Sequence, residues 1–328
     1  MAALRRIDSH QHLVPKFYEE AIMKAGAGPT RGAFPDWSPN RAIQMMDGND
    51  IEVAIASVVP GVHFLEPQKA REMARRCNDY SAELCARYPA RFGAFATVPM
   101  HEAKHAVEAI DHAFDTLKLD GVCLLSSYGD SYPGDAVFDP VLQALNERGA
   151  VAFIHPFNSA QQLPGSGHKQ ILPYPAFMVE YTFDTTRMAA HLMFSGALER
   201  FPRIKFILSH AGGALPYLAW RLYCCQMVSP HFPKWSYEKI RAALRHFWYD
   251  TAMSAGPEMI SCLLAMVGPE RVVFGSDWPM ANDQAVGECV KNLSAPGFLS
   301  ESQCAAIARG NALALFPRLQ KDSVREAA

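Results

Sequence analysis

Eight short runs of β-branched and aromatic residues alternate along this chain with longer amphipathic stretches, and that alternation limits the folds open to it more than any other feature. The strand-like runs are RRIDSHQH (5–12), VAIASVV (53–59), RFGAFATVP (91–99), GVCLLSS (121–127), AVAFIHP (150–156), IKFILSHAG (204–212), HFWYDTA (246–252) and RVVFGSDWP (271–279). Between them lie helical patterns such as PQKAREMARRCNDYSAELCARY and DPVLQALNERG, several of which stop at Gly or Pro. Strands that are apolar on both faces and separated by helices belong to a parallel sheet. Eight such units in 328 residues favour a closed (β/α)8 TIM barrel over an open doubly wound sheet. No G-x-G-x-x-G follows the first strand, which weakens the dinucleotide-binding alternative. One barrel domain is expected over residues 1–328, with a polar tail from about 318 and long loops after strands one and five.

The bulk numbers narrow the class further. A formal net charge of −2 gives no basic stripe for nucleic acid. No stretch reaches the roughly 18–20 apolar residues of a membrane span, and the first strand begins by about residue 6, without room for a signal peptide. Eight cysteines lack any C-x-x-C spacing and read as reduced core thiols. The expectation is a soluble cytoplasmic protein.

In a parallel barrel the functional groups collect where the strands end. Strand one carries Asp8, His10 and His12 at alternating positions, which an extended chain turns to one face. Two neutral imidazoles side by side can chelate a metal. Strand five ends in His155-Pro156, strand six in Ser209-His210-Ala211-Gly212-Gly213, strand seven in Asp250, and strand eight in Gly275-Ser276-Asp277-Trp278-Pro279. A single strand-end histidine is usually structural. Four histidines and an aspartate distributed over these ends point to a metal site.

The strand-one H-x-H, strand-five HP, strand-six SHAGG and strand-eight GSDWP together resemble the amidohydrolase superfamily. Within it the chain is similar to the branch of aminocarboxymuconate semialdehyde decarboxylase and the non-oxidative aromatic-acid decarboxylases. RFGAFATVP, YGDSYPGDAVFDPVLQALNERGAVAFIHP and ILSHAGGALPYLAWRL look most like the 6-methylsalicylate decarboxylases. The resemblance runs from about residue 5 to Phe316. It implies a single divalent ion held by His10, His12, His155 and Asp277, with His210 hydrogen-bonded to the metal's water or the substrate. It also implies that Arg221 reaches a substrate carboxylate, in some members across a dimer interface. Arg31 is the nearest match to a second family arginine. A homodimer or higher homo-oligomer follows from the same resemblance.

Three imidazoles and a carboxylate suit zinc, with manganese as the competitor. The end of strand four, LLSSYGD, has no lysine to bridge a second metal, so one ion per chain is expected. A decarboxylase with this set needs a proton for the ring carbon, from His210 or Asp277, and an anchor for the acid. Asp250 is placed to orient His210 or a ligand. Phe157 and Trp278, with other loop aromatics such as Phe34, Trp37 and Tyr181, are candidates to wall an aromatic ring. The leading expectation is a metal-dependent decarboxylase of an ortho-hydroxybenzoate-like acid. The alternative is a metal-dependent hydrolase that cleaves a C–C or C–N bond with activated water, and the third is a barrel that binds small acids without catalysis.

Overall fold

The apolar runs fold as eight parallel strands, each paired with the next in sequence, in the computed structural model, which describes residues 5–28, 34–157, 174–229 and 232–320. They are β1 Arg6–His12, β2 Ile51–Ser57, β3 Phe92–Thr97, β4 Gly121–Leu125, β5 Val151–His155, β6 Lys205–Leu208, β7 Trp248–Asp250 and β8 Val272–Val273. Backbone hydrogen bonds bring the first and last strands together. Ser9 N–H donates to Phe274 O at 2.9 Å, His12 N–H to Trp278 O at 2.7 Å and Asp277 N–H to His10 O at 2.7 Å. With the β1–β8 neighbours joined in this way, the sheet forms the expected barrel.

Both faces of the strands are buried, so most of them read as continuous apolar runs, with the largely polar β1 the exception. One apolar cluster takes Ile7, Ile55, Phe95, Phe153, Ile207 and Val273 from six strands, closed off by Leu315 and Phe316 near the end of the described chain. The opposite face packs under the helices α1 Lys16–Lys24, α2 Pro39–Gly48, α3 Pro67–Arg87, α4 Ala103–Asp111, α5 Asp139–Arg148, α6 Glu180–Phe194, α7 Ala197–Arg200 and α8 Leu215–Val228. At roughly 25 cal/mol per Å2 of apolar surface removed from water, these clusters supply the main drive for folding.

The structure differs from the sequence reading in several places. The loop after β1 contains α1, whose buried Tyr18 and Ile22 are four residues apart on one helical face. The end of the long connection after β5 is already helical, since α6 begins at Glu180. β8 is only two residues long, and the chain turns further on at Asp277, where φ is 61°. Arg318 pairs with Asp120 and Leu319 is buried, so packing continues into the stretch read as a tail; residues 321–328 lie outside the described residues.

Candidate metal centre

His10 and His12 lie at the mouth end of β1, fully buried. Their Nε2 atoms are 3.1 Å apart. Asp277 Oδ1 sits 2.9 Å from His12 Nε2 and 3.2 Å from His10 Nε2. His155, the last residue of β5, closes the group, and one ligand atom from each of His10, His12, His155 and Asp277 lies within 4.8 Å of every other. Ligands bound to a zinc-sized ion at about 2.0–2.1 Å are themselves about 3 Å apart. The measured separations fit a divalent cation at their centre, and the four residues are the ones the sequence motifs implied.

The protonation chemistry fits as well. Burial, and after it the imidazoles of His12 and His10, hold His155 well below the usual histidine range, so its ring is neutral and can ligate. Its Nδ1 is buried with no hydrogen-bond partner among the described residues. Burial likewise lowers His12, whose Nδ1 lies 3.1 Å from Ser57 Oγ. Burial pulls His10 down too, but the carboxylates of Asp250 and Asp277 outweigh it and raise this ring to about 10. Burial alone would raise Asp277, yet His10 and its neighbours hold that carboxyl well below the ordinary range. Two buried carboxylates thus face His10 here and favour a cationic partner, and binding of a divalent ion would compete with the His10 proton.

Asp250, at the end of β7, organises the centre from behind. Its Oδ2 accepts from His10 Nδ1–H at 2.6 Å, which leaves His10 Nε2 directed at the cluster. Its Oδ1 accepts the backbone N–H groups of His210 at 2.9 Å and Ala252 at 3.0 Å. His210 is held at φ 54°, an unfavourable value for a side-chain-bearing residue, in the turn after β6. Its Nδ1–H donates to Ala252 O at 3.1 Å, so Nε2 is the other ring nitrogen, an acceptor in the neutral tautomer. The His210 ring centroid is 5.1 Å from that of His10 and 5.9 Å from that of His155, beside the cluster.

Asp8 shares strand parity with His10 and His12 but does not join them. A register irregularity between Asp8 and Gln11 redirects it toward the strand-eight turn. There it accepts from Ser276 Oγ at 2.6 Å, Ser276 N–H at 3.0 Å and His10 N–H at 3.1 Å. Burial raises its carboxyl to about 6 despite these donors. After β4, where a bridging lysine would be sought, Ser126 and Ser127 donate to the buried Asp184 of α6. Ser57, Ser276 and Asp184 were not singled out in the sequence; for Ser57 the available signal was its place at the end of β2.

A cavity of about 90 Å3 opens beside His155, with Phe157 and Tyr181 in its wall. Burial, followed by the carboxylates of Asp277 and Asp184, pushes the Tyr181 phenol up to about 12. Trp278 does not line this cavity. Its ring is buried in the core cluster beneath α2, and Nε1–H donates to Asp283 at 3.0 Å. Arg221 is exposed on α8, and Arg31 lies outside the described residues.

A parallel barrel that gathers three imidazoles and a carboxylate at its mouth is the architecture of a metal-dependent enzyme. The profile of the family described as Amidohydrolase matches residues 7–318, and the chain belongs to that family. It is similar to 6-methylsalicylic acid decarboxylase of Penicillium expansum, 35% identical over 323 residues that cover 97% of this chain and 98% of the relative. It is also similar to decarboxylase yanB of Aspergillus niger, 35% identical over 332 residues, 96% of this chain and 88% of that protein. Among solved structures, the dihydroxybenzoic acid decarboxylase of Polaromonas sp. JS666, with bound manganese and the inhibitor 2-nitroresorcinol, superposes with a TM-score of 0.79. It is 25% identical and covers 95% of this chain and 96% of that one.

Proposed function

We propose that this protein is a metal-dependent, non-oxidative decarboxylase of an ortho-hydroxybenzoate, with a 6-methylsalicylate-like acid as substrate. The observation that carries the reading is the convergence of His10, His12, His155 and Asp277 at the barrel mouth, beside an apolar cavity of about 90 Å3. His10, His12, His155 and Asp277 would hold a divalent ion there, which would supply Lewis-acid polarisation of the bound acid. The donor set takes zinc first and manganese second. Phe157 packs against the ring, and the pair His210 and Asp277 delivers the proton to the ring carbon that carries the carboxylate. When the C–C bond breaks, its electrons return to the ring and CO2 departs. Asp250 keeps His10 and the His210 backbone in register for that transfer. Trp278 steadies the Asp277 turn and has no part in substrate binding.

The outer face of α8 supports a homo-oligomer. Tyr217, Trp220, Met227 and Val228 are exposed by 81, 57, 61 and 85%, and apolar side chains so grouped mark a surface that another chain covers. Arg221, on the same helix, is assigned to the acid in a neighbouring subunit's site, and Arg31, by the family resemblance, to the same acid. The remaining reading is of one domain acting on a small acid in the cytoplasm, with no nucleic-acid partner; among the described residues no helix is long and apolar enough to cross a membrane.

The test is CO2 release from the metal-replete protein over a panel of 2-hydroxybenzoates, with a chelator-treated control and metal analysis of the protein as purified. Release that chelation abolishes is expected. Silence across the panel from fully loaded protein would overturn the decarboxylase and favour hydrolysis by activated water.

A further inference from the structure

The cavity beside His155 is almost entirely apolar. Its wall includes Val59, Pro60, Phe157 and Met280, and no lysine or arginine lines it among the described residues. Besides His155, only Tyr181 brings to that wall a side chain able to donate a strong hydrogen bond. The Tyr181 hydroxyl has no hydrogen-bond partner among the described residues, while the backbone carbonyl of the same residue is engaged by Thr185 Oγ1 at 3.3 Å. A partly buried phenol without a partner, on a residue of the cavity wall, is available to bond to an occupant.

Its position is fixed on both sides. One turn along α6, Asp184 accepts from Ser126 and, at 2.9 Å, from Ser127, which ties the start of the helix to the end of β4. Thr186 Oγ1 accepts Ala214 N–H at 2.9 Å and donates to Thr182 O at 2.7 Å, which ties it to the loop that carries His210. Gly213 is part of that contact, since a Cβ there would meet Thr182 O at 2.0 Å. The first turns of α6 are thus locked between two strand ends of the site, and an oriented donor loses little freedom when it binds.

We infer that Tyr181 is a substrate-anchoring residue whose phenol O–H donates to a carboxylate oxygen of the aromatic acid. The assignment rests on the decarboxylase reading for the identity of the acid. It gives the cavity a neutral donor where the family resemblance supplied only arginines, one of them on an exposed helix. The role has a kinetic signature. The carboxylate loses its charge as it becomes CO2, so a hydrogen bond to it is stronger in the bound acid than in the transition state. Loss of the bond therefore weakens binding and raises KM, while kcat does not fall and kcat/KM changes less than KM does.

Tyr181→Phe removes the hydroxyl and keeps the ring. Binding of two probes to metal-loaded wild type and variant, measured by calorimetry, separates the roles: 6-methylsalicylate, which carries the carboxylate, and 3-methylphenol, which lacks it. The variant is expected to bind the acid roughly 10- to 100-fold more weakly, as for a lost hydrogen bond to a charged group, and the phenol as tightly as wild type does. Equal weakening of both probes would make Tyr181 only a wall, and unchanged affinity for the acid would remove it from binding; either result overturns the inference. If wild type turns over 6-methylsalicylate while Tyr181→Phe binds it normally, the decarboxylase stands and Tyr181 falls. If the contrast between probes holds but no CO2 is released, the anchor stands and the reaction must be reassigned. Wild-type protein that binds neither probe overturns both.

Discussion

His10 and Asp250 share a 2.6 Å hydrogen bond, both side chains fully buried, and the other oxygen of Asp250 accepts the His210 backbone N–H at 2.9 Å. A single carboxylate thus sets the tautomer of the His10 imidazole and the placement of the His210 backbone beside the cluster. The two tasks require two acceptor oxygens.

Asp250→Asn leaves one acceptor and introduces an amide donor. It should lower metal affinity about 10- to 100-fold, as loss of such outer partners does, and reduce CO2 release even at saturating metal because the His210 turn loses its anchor. A chelator-competition titration and turnover at saturating metal would measure the two effects. Wild-type affinity together with wild-type turnover would show that neither task depends on the carboxylate.

His210→Ala should keep its metal and lose about 10²- to 10⁴-fold in kcat, the range for a positioned proton-transfer group. Metal content measured on the purified variant separates this from the alternative. If metal is lost as well, His210 is a ligand.

Gly275 fits between two working side chains. A Cβ at this position would lie 2.8 Å from His10 Cβ and 3.0 Å from Asp250 Cβ. Gly275→Ala is therefore expected to destabilise the fold by about 1–3 kcal/mol, the usual cost of overpacking, and to weaken metal binding by pushing the two apart. Denaturant unfolding of the apo- and metal-loaded forms would resolve both effects, and a wild-type midpoint would mean that the strands relax freely here.

Exposed α8 carries the test of assembly. Trp220→Glu places a charge on an apolar face and should shift the protein toward monomer in sedimentation. Arg221→Ala should leave assembly intact and raise KM for the acid about tenfold or more, as expected for loss of a charged hydrogen bond. A monomeric wild type with full activity would reject the shared-site arrangement.

Much of the site could be read from the chain because metal ligation requires particular residue types at strand ends, and strand ends are visible in the alternation of apolar runs. His10, His12, His155 and Asp277 needed only local pattern and the resemblance it carried. What escaped the sequence depends on distances that periodicity does not encode. Asp8 looks like a third member of the β1 face, yet a one-residue irregularity sends it to Ser276, 268 positions away. The partnership of Asp184 with Ser126 and Ser127 spans nearly 60 positions, and nothing in either segment announces the other. Trp278 adjoins Asp277 in sequence, but the positive φ of Asp277 turns the next side chain into the core. α1 was missed because its apolar signal is carried mainly by Tyr18 and Ile22 among charged neighbours.

The joining of β1 to the β8 turn has a consequence for synthesis. His12 and Asp277 are 265 residues apart, and the His10 carbonyl that receives the Asp277 amide leaves the ribosome well before its donor does. A nascent chain that stops short of the eighth strand carries all three imidazoles without the carboxylate or the backbone seam that brings it to them. Tight capture of the ion therefore waits until the ring has closed, and occupancy of the centre becomes a report that the eighth strand has been made and wound onto the first.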